Sequence, residues 1–148
     1  MPLAYADSSV LFAYFHPKDT YALRVTEVVR RKSPDFIYWP FLRFELRHNL
    51  RLARTDRWGE IAWKALRAAE KTSARLFWQA ELTADKMLDA AEDLSAEKSG
   101  DIDCGSGDYL HVAAARRFNL IHGLDEFWTC DSIQAELARA VGLNVRTF

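Results

Sequence analysis

The chain has 148 residues, a mass of 17.0 kDa, 49% hydrophobic and 28% charged residues, and a formal net charge of −1. Such a composition suits one globular domain, residues 1–148, large enough to bury a core without disulfide or metal staples. It excludes a protein coated in positive charge, so any contact with nucleic acid must come from a local patch, and it argues against a membrane span, because charges interrupt every apolar run before the roughly 18 residues needed.

In chain order, residues 3–6 are a short apolar run that reads as a buried strand. The opening MPLAYAD lacks the basic region and long apolar stretch of a signal peptide, which points to a cytoplasmic protein. Residues 10–15 open a helix that His16-Pro17 breaks. Residues 20–32 carry Ala22, Val25, Val28 and Val29 at helical spacing, with Asp19 or Thr20 as the cap and Ser33-Pro34-Asp35 as the stop. A second strand is expected over 36–39, and Pro40 suits the first turn of the helix PFLRFELRHNLRLAR. Another helix follows Thr55-Asp56, with Trp58, Ile61, Ala62, Ala65, Leu66 and Ala69 on one face.

Residues 76–82 read as an edge strand. Thr83 then caps an amphipathic helix with Met87, Leu88, Ala91 and Leu94 inward, ending near Gly100. GDIDCGSGD, residues 100–108, is a loop by composition and leads into the apolar helix DYLHVAAARRF. A strand over 126–130, a helix start at Asp131-Ser132, a helix over 133–141 closed by Gly142, and a last strand over 143–145 complete the pattern. Short apolar strands alternating with helices define an α/β fold with a parallel sheet covered by helices. Cys104 and Cys130 have no metal-type spacing and read as small apolar residues.

Asp7 follows a strand, Asp108 opens a helix, and Asp131 lies between a strand and a helix. In an open parallel sheet, ligands bind beyond the carboxyl ends of the strands, where all three could meet. Taken singly, each aspartate is adequately explained as an N-cap. Glu45 is not, because it lies mid-helix. At about 100° per residue it falls near the stripe of Leu42, Leu46, Leu50 and Ala53, and an inward carboxylate needs a cation, a hydrogen bond or a metal. A salt bridge to an arginine would also satisfy it. Asp108 likewise falls in the arc of Val112 and Ala115. Several carboxylates without a histidine or cysteine cluster favour Mg²⁺ or Mn²⁺, the ions of phosphodiester hydrolysis. Arg43, Arg47, Arg51 and Arg54 form a basic stripe diverging from Glu45, a solvated face first and a phosphate-binding or acidic-partner face second. His111 reads as a hydrogen-bonded core histidine rather than a ligand.

With YADSSVL, FLRFELRHNL, GDYLHVAAA and FWTCDSIQAELARAVGLNV in this order, the chain resembles the PIN-domain nucleases, and among them the VapC-like toxins of toxin-antitoxin pairs. The resemblance implies a three-layer α/β/α sandwich with a mainly parallel sheet and a metal-dependent endoribonuclease acting on RNA. It implies Asp7, Glu45, Asp108 and Asp131 as acidic metal ligands, Ser9 and Thr129 as supporting hydroxyls, a homodimer, and a small antitoxin in the cleft. Asp103 could act with or instead of Asp108. The rival readings are a non-catalytic PIN-like module that binds RNA or protein, and a housekeeping RNA-processing nuclease. An aspartate phosphotransferase of the haloacid-dehalogenase type fits poorly, since the position two after Asp7 is Ser9.

Overall fold

The structure, a computed structural model, describes residues 2–72 and 76–148. Its elements run β1 (Leu3–Ala6), α1 (Ser8–Phe15), α2 (Ala22–Lys32), β2 (Asp35–Tyr38), α3 (Pro40–Leu52), α4 (Arg57–Lys71), β3 (Phe77–Gln79), α5 (Ala84–Lys98), α6 (Ser106–His122), β4 (Glu126–Thr129), α7 (Ser132–Ala140) and β5 (Val145–Thr147). The strands form one sheet in the order β3-β2-β1-β4-β5, with every pairing parallel.

The strand order fixes the layers. From β1 the chain steps outward to β2 and β3, then crosses back to β4 and β5 on the other side. Right-handed crossovers place the helices of these two excursions on opposite faces. The packing agrees: α1 lies against α2, α3 and α4, whereas α6 lies against α5 and α7. The expected α/β/α sandwich is therefore the architecture, and its sheet is wholly parallel. At the centre, Ala4, Tyr5 and Ala6 of β1 are buried on both faces, which is why this strand reads as a continuous apolar run without alternation.

Several local expectations shift. Neither Asp19 nor Thr20 caps α2. The N-cap is Tyr21, without a side-chain bond, and Asp19 instead accepts from the Tyr21 amide at 2.9 Å. Thr83 occupies the N-cap of α5 but makes no capping bond. Ile61 and Ala65 on α4 and Leu88 on α5, all assigned inward by spacing, are exposed. The last strand begins at Val145, because Gly142, with φ +84°, and Leu143 form the turn that closes α7.

At the junction of α3 and α4 the two backbones nearly touch. Asp56 caps α4 through the Gly59 amide at 2.9 Å, and a Cβ built on Gly59 would lie 1.7 Å from the Ala53 carbonyl oxygen. Gly59→Ala is therefore expected to destabilise the fold by about 1–3 kcal/mol through backbone overlap. Helix propensity alone predicts a gain of ~1 kcal/mol, so urea unfolding of this variant decides between the two by sign.

Candidate active site

The carboxyl ends of β1 and β4, adjacent strands from which the chain leaves in opposite directions, bound a crevice of the kind that binds ligands in open α/β sheets. Asp7 occupies the first position after β1. Its backbone amide donates to the Trp128 carbonyl at 3.1 Å, extending the β1–β4 ladder by one bond. Its side chain is buried and accepts from Ser9 Oγ (2.7 Å), the Val10 amide (3.0 Å) and Thr129 Oγ1 (3.0 Å). Asp7 thus caps α1, as the simple reading required. Burial nevertheless raises its carboxyl above the ordinary value, against the opposing effect of these hydrogen bonds.

Glu45, in the middle of α3 and part-exposed, meets no arginine among the described residues. Its Oε1 accepts from Ser8 Oγ and lies 2.9 Å from His111 Nε2. His111 is buried, and its Nδ1 lies 2.8 Å from the Tyr5 hydroxyl, which in turn accepts from the Trp39 indole at 2.8 Å. The indole can only donate, so satisfying every proton has Tyr5 donate to Nδ1 and leaves Nε2–H for Glu45. Burial acts to raise the Glu45 carboxyl, but the His111 and Ser8 contacts outweigh it and hold it below the ordinary value. Oε2 has no hydrogen-bond partner among the described residues and lies 3.9 Å from where a Cβ on Gly107 would stand.

Asp108 lies in the first turn of α6, where Oδ2 accepts from the Gly105 amide at 3.1 Å and Oδ1 from Gln134 Nε2 at 2.8 Å. Asp131 caps α7 through the Ile133 and Gln134 amides (2.8 and 3.1 Å), and its own amide donates to Thr129 Oγ1 at 3.0 Å. Burial, and then the charge of Asp131, raises the Asp108 carboxyl. Thr129 therefore joins Asp7 to Asp131, Gln134 joins Asp131 to Asp108, and Ser8 and His111 tie Glu45 to the elements that carry Asp7 and Asp108. Asp103 is exposed, with no hydrogen-bond partner among the described residues. Burial pushes the thiols of Cys104 and Cys130 up to about 11 and about 12, the behaviour of inert cysteines.

Ser8, His111, Gln134 and the Tyr5–Trp39 pair were not assigned to the site from sequence. A signal existed for His111, which lies one turn after Asp108 on the same inward arc. None existed for Gln134, whose contact depends on how α7 lies against α6.

Among the described residues, no group of three or more His, Cys, Asp or Glu side chains is close enough to hold a metal ion as arranged. The donor chemistry does suit a hard cation. Asp7 is buried without a cationic partner, Asp108 and Asp131 repel one another, and the fully buried Gln134 Oε1 has no hydrogen-bond partner. No Lys or Arg pairs with Asp7, Glu45, Asp108 or Asp131 among the described residues, although Glu60, Glu70 and Glu126 each bind one or more.

No protein-family model matches the sequence, and no curated protein matches it. Solved structures do. VapC20 of Mycobacterium tuberculosis, a sarcin-ricin loop cleaving toxin, is similar with a TM-score of 0.67 at 16% identity, covering 95% of each chain. VapBC2 from Rickettsia felis, bound to a DNA fragment from its promoter, gives 0.65 at 12% identity over 98% of each chain. FitAcB from Neisseria gonorrhoeae gives 0.58 at 14% identity, over 96% of this chain and 95% of that one. The fold is thus the PIN-type fold of VapC-like proteins, as the sequence motifs implied.

Two outcomes test the electrostatics. Because the Asp7 carboxyl is raised, the folded state loses stability as pH climbs from the ordinary carboxylate value through the raised one. Asp7→Asn keeps an N-cap and removes that cost, so in EDTA its melting temperature should exceed that of the unchanged protein by a few degrees at pH 7 and by less at pH 4. In His111→Phe, the Glu45 carboxyl should lose its largest lowering contact and titrate higher, as read by carboxyl-carbon NMR.

Proposed function

We propose that the chain is a single PIN-like nuclease domain, residues 1–148, that hydrolyses RNA phosphodiester bonds with Mg²⁺ or Mn²⁺ and acts as the toxin of a toxin-antitoxin pair. The observation that carries this reading is the contrast in carboxylate pairing. Glu60, Glu70 and Glu126 elsewhere in the fold are neutralised by Arg or Lys, whereas the four at the strand-end crevice are held by hydrogen bonds and, among the described residues, left without either. Acids kept together against their repulsion suit a site that takes up a cation. The similarity to a sarcin-ricin loop cleaving toxin supports RNA as the substrate, and the VapBC2 structure supports a small antitoxin partner.

In this reading Asp7, Glu45, Asp108 and Asp131 hold the metal. When bound, the ion supplies a water activated for attack and charge stabilisation at the leaving oxygen. Ser9 and Thr129 fix both oxygens of Asp7, and Thr129 also holds the Asp131 backbone, so the two aspartates move as one unit. Ser8 and His111 occupy Glu45 Oε1 and leave Oε2 for a ligand. Gln134 orients Asp108, and Asp103 lies close enough in sequence to assist it. A homodimer in the cytoplasm completes the proposal. No helix among the described residues is long and apolar enough to cross a membrane.

The test is cleavage of a structured RNA panel. Mg²⁺ or Mn²⁺ should support cutting, EDTA should abolish it, and Asp7→Asn or Asp131→Asn should reduce the rate by about 10² or more. Equal products from the unchanged protein and both variants would remove the catalytic reading and leave a non-catalytic RNA- or protein-binding module.

A further inference from the structure

A crevice lined by four carboxylates, on a chain whose net charge is −1, cannot by itself draw in a polyanion. Attraction must come from elsewhere on the surface, and one face is built for it. Between residues 43 and 71 the sequence has eight Lys or Arg and four Asp or Glu, so this fifth of the chain is basic while the remainder is acidic. Glu45, one of the four acids, points instead to the crevice.

The cations gather around two indoles. Arg51, Arg54 and Arg67 lie over Trp63, at 5.1, 5.4 and 5.8 Å from its ring centroid. Lys18 and Arg57 lie over Trp58, at 4.6 and 4.8 Å. Glu60 neutralises Arg54, and Glu70 serves both Arg47 and Arg67. Arg51, Arg57, Lys64 and Lys71 are exposed and have no carboxylate partner among the described residues. Three guanidinium groups on one ring repel each other, and the ring faces offset part of that repulsion. The N–H edges of Arg51 and Arg57, which no carboxylate occupies among the described residues, stay free for incoming acceptors.

We infer that the α3–α4 face is a docking surface for the RNA backbone, separate from the cutting crevice; this rests on the nuclease reading above. Arg51 stands six residues beyond Glu45 on α3, about 9 Å along the helix axis, so one strand can reach both places. The free guanidinium edges bind phosphates, and the part-buried indoles beneath hold those cations in place. An acidic protein would also be attracted, but it would not need a basic face continuous with the helix that carries Glu45.

The experiment titrates a fluorescent single-stranded RNA with the Asp7→Asn protein in EDTA, so that binding is read without cutting. Arg51→Gln/Arg57→Gln/Lys64→Gln breaks no ion pair and should weaken binding at least about tenfold, with the log–log salt slope falling by about 2. Lys86→Gln/Arg116→Gln/Arg117→Gln removes equal charge from α5 and α6 and should cost less than about threefold. If the first triple does not melt cooperatively, Arg57→Gln and Lys64→Gln are read singly, each expected to weaken binding about two- to threefold. Equal losses in both triples, loss in neither, or no RNA binding by the parent overturns the inference. So does displacement of the RNA by poly-glutamate of matched length, which would assign the face to an acidic protein. Patch-dependent binding by a protein that cuts no RNA in Mg²⁺ would instead retain the docking face and remove the nuclease reading.

Discussion

The organisation of this molecule depends on one junction, the seam between β1 and β4. The Asp7 amide bonds the Trp128 carbonyl across that seam, and Thr129 at the end of β4 holds the Asp7 carboxylate. Because the chain leaves the two strands in opposite directions, α1 and α7 both start at this point, each capped by an aspartate. Capping and clustering are therefore not rival explanations. The helix starts that need acidic caps are the same starts that the sheet order brings together.

The two ends of β4 show how differently the fold treats an acid. At the amino end, Glu126 accepts from Arg146, Lys32 and Trp128, and these hydrogen bonds hold its carboxyl down at about 2. It ties β4 to β5 and α2. At the carboxyl end, Asp7 receives three hydrogen bonds and no Lys or Arg, and its carboxyl is raised. The first arrangement stabilises the fold, whereas the second keeps an electrostatic cost in place where a ligand can relieve it.

Much of this was legible in the sequence, for identifiable reasons. The bounds of β1 follow from an apolar run too short for a helix, and the start of α3 from Pro40. Glu45 stood out because no cap can explain a mid-helix acid. Ile61 and Leu88 misled, because helical spacing defines an apolar face without saying how wide a strip its neighbours cover. The stripe of Arg43, Arg47, Arg51 and Arg54 looked uniform. Yet Arg47 and Arg54 are spent on Glu70 and Glu60 of α4, a distinction that depends on how the two helices cross.

The partner of Glu45 was not read from the sequence, and its chemistry is the most informative. An arginine there would have paired permanently with the carboxylate and competed with any incoming cation. A histidine donating one N–H instead fixes the orientation of Glu45 and engages a single oxygen. Its tautomer is set deeper in the core by an indole that can only donate, through Tyr5. Local periodicity could not reveal this column, since Tyr5, the Trp39–Glu45 stretch and His111 come from three separate segments. Its effect is to let buried aromatic packing determine which oxygen of a half-exposed carboxylate stays open to a ligand.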